Sequence, residues 1–305
     1  MDKATRNYKF QDISACEMCG APKVKHKYLG QRLNKSQGLS PKKVSGISIS
    51  VMKCTVCGLI FSDPLPIPED IQDHYGLPAE DYWKEDYFKY QPEYFRHELE
   101  WLEKLLVFKP GMKALDIGAG LGKCMISLQN SGFDTFGFEP SKPFYEKAIE
   151  KMGMSPDRLT FNMMETVMYP ENVFDFITFG AVLEHLYHPA ESIEKAMKWL
   201  KPGGIIHVEV PSSDYYISSL LNKYNRLRGT NYVSHLSPMH PPFHLYEFTA
   251  TSFELLGKRL GYLLADKKVF VGKTIFFPGA IRKLVDSYME KTDRGMQLTI
   301  WLRKI

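Results

Sequence analysis

From residue 113 onward the chain alternates short apolar runs with amphipathic ones. "KALDIG", "TFGFE", "LTF", "FDFITFG" and "GIIHVEV" read as strands, and between them a helix from about 121, "PFYEKAIEKMG" and "AESIEKAMKWL" carry apolar residues at helical spacing. Strands alternating with helices in this order predict an α/β fold with a parallel, doubly wound sheet over 111–305. Residues of about 213–250 interrupt the pattern as an insertion after the fifth strand. Upstream, "DYWKEDYFKYQPEYFRHELEWLEKLL" is dense in aromatics before a helical pattern that ends near "KPGMK". Trp101, Leu102, Leu105 and Leu106 fall on its core stripe, whereas Tyr82 and Tyr87 lie in the irregular part and are candidates for a lid. That makes 76–110 a helical connector. "SDPLPIPED" at 62–70, with three prolines, separates it from an N-terminal module over 1–75.

Composition changes this picture little. The 305 residues carry a net charge of +4 and no apolar run long enough to cross a bilayer, so no membrane span is expected. "MDKATRNYKF" lacks an apolar stretch followed by a small-residue cleavage site, and a cytoplasmic location is the expectation. Cysteines there face a reducing medium.

Four of the five cysteines are patterned as "CEMC" and "CTVC", each followed by glycine. Two residues between thiolates form a knuckle that aims both sulfurs at one tetrahedral ion, so Cys16, Cys19, Cys54 and Cys57 are candidate ligands of a closed, structural Zn²⁺ site. Disulfides fit the compartment poorly, and a redox C-x-x-C occurs once beside a βαβ unit rather than twice outside it. Cys124 reads as a small core residue. The same segment is basic: Lys3, Arg6, Lys9, Lys23, Lys25, Lys27, Arg32, Lys35, Lys42, Lys43 and Lys53 outnumber Asp2, Asp12 and Glu17 within 1–60. This suits contact with phosphate, on nucleic acid or on a phosphate-bearing acceptor, or simply a solvated surface.

"ALDIGAGLGK" at 114–123 places Gly118, Gly120 and Gly122 directly after the first strand. A Walker A loop would need glycine at Ile117 and a hydroxyl residue at Cys124, and a dinucleotide loop would need glycine at Lys123. Either a ligand-free turn or another ligand remains. Glu139, ending the second strand, stands where a carboxylate can accept hydrogen bonds from a ribose diol. The set Asp116, Gly118, Gly120 and Glu139, followed by "FDFITFGAVLEHLYHPAESIEKAMKWLKPGGIIHVEVP", resembles the class I S-adenosylmethionine (SAM)-dependent methyltransferases, with a Rossmann-like sheet. The likeness spans roughly 85–305, with specific motifs at 114–211 and 240–253. It implies SAM as cofactor, held by Asp116, Gly118, Ala119, Gly120, Glu139, Pro140 and Ala181, with Tyr87 above. Met163 and Met164 occupy the adenine-contacting position, which is often acidic in the family; backbone groups or Glu165 would take over.

With the four cysteines, the tyrosines and the late "FHLYEFT", the chain further resembles the zinc-containing sugar methyltransferases of antibiotic and cell-surface polysaccharide pathways. These carry a Glu-His pair where Phe243 and His244 stand. Loss of the glutamate points to a hydroxyl rather than a carbon of a sugar, nucleotide sugar or glycan as acceptor. Histidine suits proton removal near neutral pH, so His244, then His185, are the candidate bases, His240 lies nearby, and Tyr246 would orient the acceptor. Two other readings remain: a zinc-containing RNA methyltransferase, although "GAVLEH" replaces the Asp/Asn-Pro-Pro-aromatic signature of many base methylators, and a non-enzymatic SAM-binding scaffold.

Overall fold

The computed structural model describes residues 8–33, 48–70, 74–75, 83, 85–237, 243–272 and 277–305. The expectations for Tyr82, His240, Lys3, Arg6, Lys35, Lys42 and Lys43 fall outside these residues.

Two small sheets form first. β1 (Tyr8–Gln11) pairs with β5 (Leu65–Pro68), while β2 (His26–Leu33), β3 (Ser48–Cys54) and β4 (Ile60–Ser62) make an antiparallel sheet. Then come α1 (Arg96–Leu105), β6 (Lys113–Ile117), α2 (Lys123–Asn130), β7 (Asp134–Glu139), α3 (Lys142–Met152), β8 (Leu159–Phe161) and β9 (Phe174–Gly180). They are followed by α4 (Pro189–Trp199), β10 (Leu200–Pro211), α5 (Tyr216–Leu227), β11 (Tyr246–Glu247), α6 (Ala250–Leu260), β12 (Tyr262–Phe270), α7 (Gly279–Lys291) and β13 (Gln297–Lys304).

The main sheet runs β12-β13-β10-β9-β6-β7-β8. β10, β9, β6, β7 and β8 are parallel, as the strand–helix alternation predicts, because each crossover helix returns the chain to the same edge. β13 is antiparallel to both β10 and β12, so the sheet is mixed rather than wholly parallel. Its register is fixed by Leu298, Ile300 and Leu302, which alternate into the core. β10 begins earlier than "GIIHVEV": pairing with β9 starts at Leu200, then shifts register before Ile205, so the Lys-Pro-Gly-Gly segment is an irregularity within the strand. The helix expected upstream of residue 107 shortens to α1, with a single 3-10 turn at Glu85–Phe88. Leu102 is fully buried, and Trp101, Leu105 and Leu106 pack against the core from half-buried positions.

The N-terminal segment is not closed on itself. β11, from the insertion, pairs with β4 and completes the sheet β11-β4-β3-β2. Gln31 and Val233 extend the docking through backbone bonds with Asn231 and with Gln31 itself, and the buried Arg32 donates to the Val233 carbonyl at 3.0 Å. A buried guanidinium is tolerable only with such partners. α6 joins the same junction: Thr249 caps it by accepting from Ser252 N at 3.0 Å and donates to the Cys57 carbonyl at 2.5 Å. From its far end Arg259 reaches the carbonyls of Glu17 and Met18, both at 3.0 Å. Phe253 and Leu256 bury the inner face of α6, an apolar burial of about 1.5–3 kcal/mol each.

Candidate active site

The glycine loop lies at the carboxyl end of β6. Gly118 and Ala119 both donate to the Phe138 carbonyl at 3.0 Å, tying the loop to the end of β7. Gly118 has φ +68°, and a Cβ there would come within 2.7 Å of Val182, so the position requires glycine. Gly120, at φ +54°, donates to Glu139 Oε2 at 2.7 Å, while Ser141 N donates to Oε1 at 2.7 Å. Glu139 thus closes the loop from below. Burial pushes its carboxyl up to about 7, against the pull of these two N–H groups.

A cavity of about 250 Å³ opens beside this loop, lined among others by Glu98, Asp116, Gly118, Ala119, Ala181 and Glu209. Asp116 is fully buried, its acid raised to about 8 by burial and then by the charge of Glu139, and its Oδ2 has no hydrogen-bond partner among the described residues. Burial and the neighbouring Glu98 raise Glu209 to about 6, although Gln297 donates to it. Carboxyls held this high lack a counter-cation. Ala181, at φ +55° after β9, is pinned by its N–H to the Glu209 carbonyl at 3.0 Å.

The same turn continues into a 3-10 segment, Leu183–His185. Glu184 Oε1 lies 3.9 Å from His185 Nε2 and 3.9 Å from His244 Nε2, and the two imidazole centroids are 4.9 Å apart. His185 Nδ1 donates to the Phe243 carbonyl at 2.8 Å, and Leu245 N donates to the Glu184 carbonyl at 2.8 Å, so two distant segments are clamped together. His74 Nε2 donates to the His185 carbonyl at 2.6 Å; burial lowers its pKa to about 4, keeping it neutral. Phe243, which stands where the resembled sugar methyltransferases carry a glutamate, offers His244 no carboxylate, and Glu184 lies 3.9 Å from it.

A family model described as "Methyltransferase domain" matches residues 87–265. The chain belongs to this family. The chain shares 32% identity over 121 residues with phosphoethanolamine N-methyltransferase 1 of Arabidopsis thaliana, covering 38% of this chain and 23% of that protein. With demethylmenaquinone methyltransferase of Geobacillus sp. (strain WCH70) it shares 25% over 119 residues, covering 36% of this chain and 51% of that one. The matches therefore span about a quarter to a half of these relatives. Among solved structures, a SAM-dependent methyltransferase from Archaeoglobus fulgidus superposes with a TM-score of 0.48 at 17% identity, covering 74% of this chain and all (100%) of that one.

Within the methyltransferase domain the structure gathers Asp116, Gly118, Ala119 and Ala181 on one cavity, whereas Gly120 and Glu139, bonded to each other, brace the loop beside it and do not line it. Pro140 is buried beside Glu139. Tyr87, in the 3-10 turn before α1, stacks under Lys123 Nζ at 5.0 Å from the ring centre, at the entrance of α2. Met164 is buried and its carbonyl accepts from Lys195 at 2.8 Å, while Met163 begins a turn that accepts from Val167 N. His185 and His244 come together; Tyr246 does not join them. Its ring is buried in the core and its hydroxyl donates to the Tyr187 carbonyl at 2.9 Å. Glu98, Glu209, Glu184 and His74 were not legible in sequence: the first two line the cavity and the last two contact the histidine pair only through the fold. Cys124 is buried, as expected, and touches the cavity wall.

The four patterned cysteines converge. Cys16 and Cys57 sulfurs are 3.5 Å apart and Cys19 and Cys54 are 3.6 Å apart, with all four within 4.8 Å of one another. An ion with Zn–S bonds of about 2.3 Å makes a sulfur tetrahedron with edges of about 3.8 Å, so the spacing fits. Burial raises the Cys19 thiol to about 11, and Cys57 is raised chiefly by its hydrogen bond to Cys16, which the same bond lowers to about 5. Only a cation would let all four sulfurs ionise together. Of the described basic residues, Lys23 pairs with Asp63 at 3.0 Å, Lys53 with Asp214 at 3.4 Å, and Arg32 is buried.

Proposed function

We propose that the protein is a SAM-dependent methyltransferase that methylates a hydroxyl of a sugar, nucleotide sugar or glycan, with a structural Zn²⁺ in the cysteine cluster. The observation that carries this reading is the adjacency of two features on one turn: an acidic cavity at the glycine loop and a Glu-His-His cluster just beyond Ala181. SAM, when bound, supplies a methyl activated on a sulfonium and brings an ammonium group. Asp116, with a buried oxygen that accepts nothing among the described residues, and Glu209 suit such a cation. Glu139 braces the loop through Gly120, and Tyr87 packs against Lys123 at the start of α2. His185 carries its proton on Nδ1, facing a carbonyl, which leaves Nε2 as the basic atom. His244, beside it, accepts the acceptor's hydroxyl proton as the oxygen gains its methyl.

Lys23, Lys53 and Arg32 are engaged within the fold while Lys9, Lys25 and Lys27 are exposed, so an RNA acceptor stays as the second reading. Mass spectrometry after incubation with SAM and panels of nucleotide sugars, glycans, phosphoethanolamine and RNA tests the reading. A sugar product heavier by one methyl is the expected result; methylation confined to phosphoethanolamine or RNA overturns the acceptor class, and no product alongside SAM binding favours a scaffold. Gly120→Val should abolish binding of S-adenosylhomocysteine in calorimetry while the protein stays folded, because a branched residue at positive φ costs about 1–3 kcal/mol and its side chain would enter the open space at the loop, where only Phe144 comes within 4.0 Å. Retained affinity would mean the loop is not the cofactor site.

A further inference from the structure

We propose that Glu184 is a positioning residue: its carboxylate is the shared counter-charge for whichever of His185 and His244 becomes an imidazolium. The inference rests on the methyl-transfer reading for its purpose, but on geometry for its content. One oxygen, Oε1, is 3.9 Å from the Nε2 atom of each ring. That is an ion-pair distance to both and a hydrogen-bond distance to neither, so the carboxylate favours neither histidine over the other. Glu184 is 3% exposed at its side chain, against 14% for His185 and 17% for His244; the carboxylate lies behind the two rings and the rings reach toward solvent. The cross-segment bonds from His185 to the Phe243 carbonyl and from Leu245 to the Glu184 carbonyl fix all three groups relative to one another.

A buried carboxyl with Oε2 unpaired among the described residues is costly unless a positive charge stands beside it. Burial, joined by repulsion from Glu209 of β10, raises this acid to about 8 against the pull of its own backbone N–H. The groups facing it are His185 on its own turn, His244 on the segment after residue 242, and Glu209; His74 behind the turn is neutral. The carboxyl and the two imidazoles share the resting proton: on the acid or on an imidazole the set has the same net charge, and Glu184 becomes the counter-charge, 3.9 Å away, when an imidazole carries it. In the transfer step the acceptor's O–H bond breaks, its electron pair forms the O–CH₃ bond, and the S–CH₃ pair stays on sulfur. The released proton goes to Nε2 of the neutral histidine, and the charge that appears there is again within reach of Glu184.

The test uses the full chain without any acceptor: histidine titrations followed by ¹⁵N-correlated NMR in wild type, Glu184→Gln and Glu184→Asp. Glutamine mimics the protonated acid, so the two imidazoles should lose their protons about one pH unit lower, roughly a tenfold loss of proton affinity, with aspartate in between. S-adenosylhomocysteine affinity should not change. Once an acceptor is known, Glu184→Gln should lower kcat by ~10–100-fold with little change in KM, and the acid limb of the pH profile should move the same way. Unchanged imidazole titrations in either folded variant overturn the inference, as does a metal ion lost on Glu184→Gln, which would make the carboxylate a ligand. Should wild type methylate nothing, the function proposal fails on that result alone, and the titration shift still decides the role of Glu184.

Discussion

Each half of the cysteine cluster sits on a tight turn closed by its own backbone: Gly20 N donates to the Cys16 carbonyl at 2.8 Å and Gly58 N to the Cys54 carbonyl at 2.9 Å, both at positive φ. In the Glu184–His185–His244 cluster only the first two share such a turn, closed by His185 N to the Val182 carbonyl at 2.9 Å, and His244 comes from elsewhere. The cluster is held by bonds between the turn after β9 and the segment leading into β11, and its histidines meet only because β11 docks on the N-terminal sheet. One site is made of two prefabricated halves, the other of one turn and a histidine that no local contact brings to it. The first should therefore fail by losing its ligand and the second by losing its docking.

The largest effect is expected at the cysteine cluster. Cys54→Ser should abolish the proposed zinc binding and destabilise the N-terminal sheet, because metal affinity and folding are coupled; elemental analysis of wild type and variant, with thermal melts, checks both. A protein that holds no metal and keeps its melting temperature would remove the ion from the design. Next, His244→Ala should lower kcat by ~10²–10⁴-fold with SAM affinity intact, whereas His185→Ala, which also frees the Phe243 carbonyl, should affect SAM binding more. Steady-state kinetics with calorimetry separates them, and a near-normal kcat for His244→Ala eliminates it as the base.

A smaller, distributed effect should appear with pH. Asp116 and Glu184 have folded pKa values raised to about 8 from 3.8 and 4.5, so between those limits the folded state binds more protons than the unfolded one. Stability from these groups is complete below the lower values and falls as pH rises toward about 8. The unliganded melting temperature should decline across that window, and less so with SAM present, since a cation offsets the buried charge of Asp116. Melting curves over a pH series measure this. The smallest change is expected for Thr249→Ala, which removes the cap of α6 and its bond to the Cys57 carbonyl: about 1 kcal/mol, seen in denaturant midpoints, with zinc retained.

The two sites also differ in how much of them could be read from residues alone. Cys16, Cys19, Cys54 and Cys57 were legible because C-x-x-C-G is a short-range geometry, and Gly118 and Gly120 because a strand followed by closely spaced glycines admits few ligands. Asp116 was legible from its place beside them. Glu184 was not: inside "VLEHL" it looks like any acidic residue on a turn, and only burial against His244 gives it meaning. Tyr246 illustrates the opposite case, a tyrosine near the histidines in sequence whose hydroxyl is turned into the core toward Tyr187.

Periodicity alone determined the strand–helix alternation of 113–211, since a parallel strand buried on both faces and a helix buried on one have distinct apolar patterns. It also determined the two knuckles, whose hydrogen bonds span only a few residues. Only tertiary structure decided that β13 runs antiparallel between β10 and β12, that β11 completes a sheet begun near the N-terminus, and that a buried carboxylate stands between two histidines. The physical reason is the range of the interactions. Backbone dihedrals and side-chain periodicity act over a few residues and are recorded in them, whereas desolvation and charge pairing depend on which distant segments exclude water together, and no local stretch of sequence contains that information.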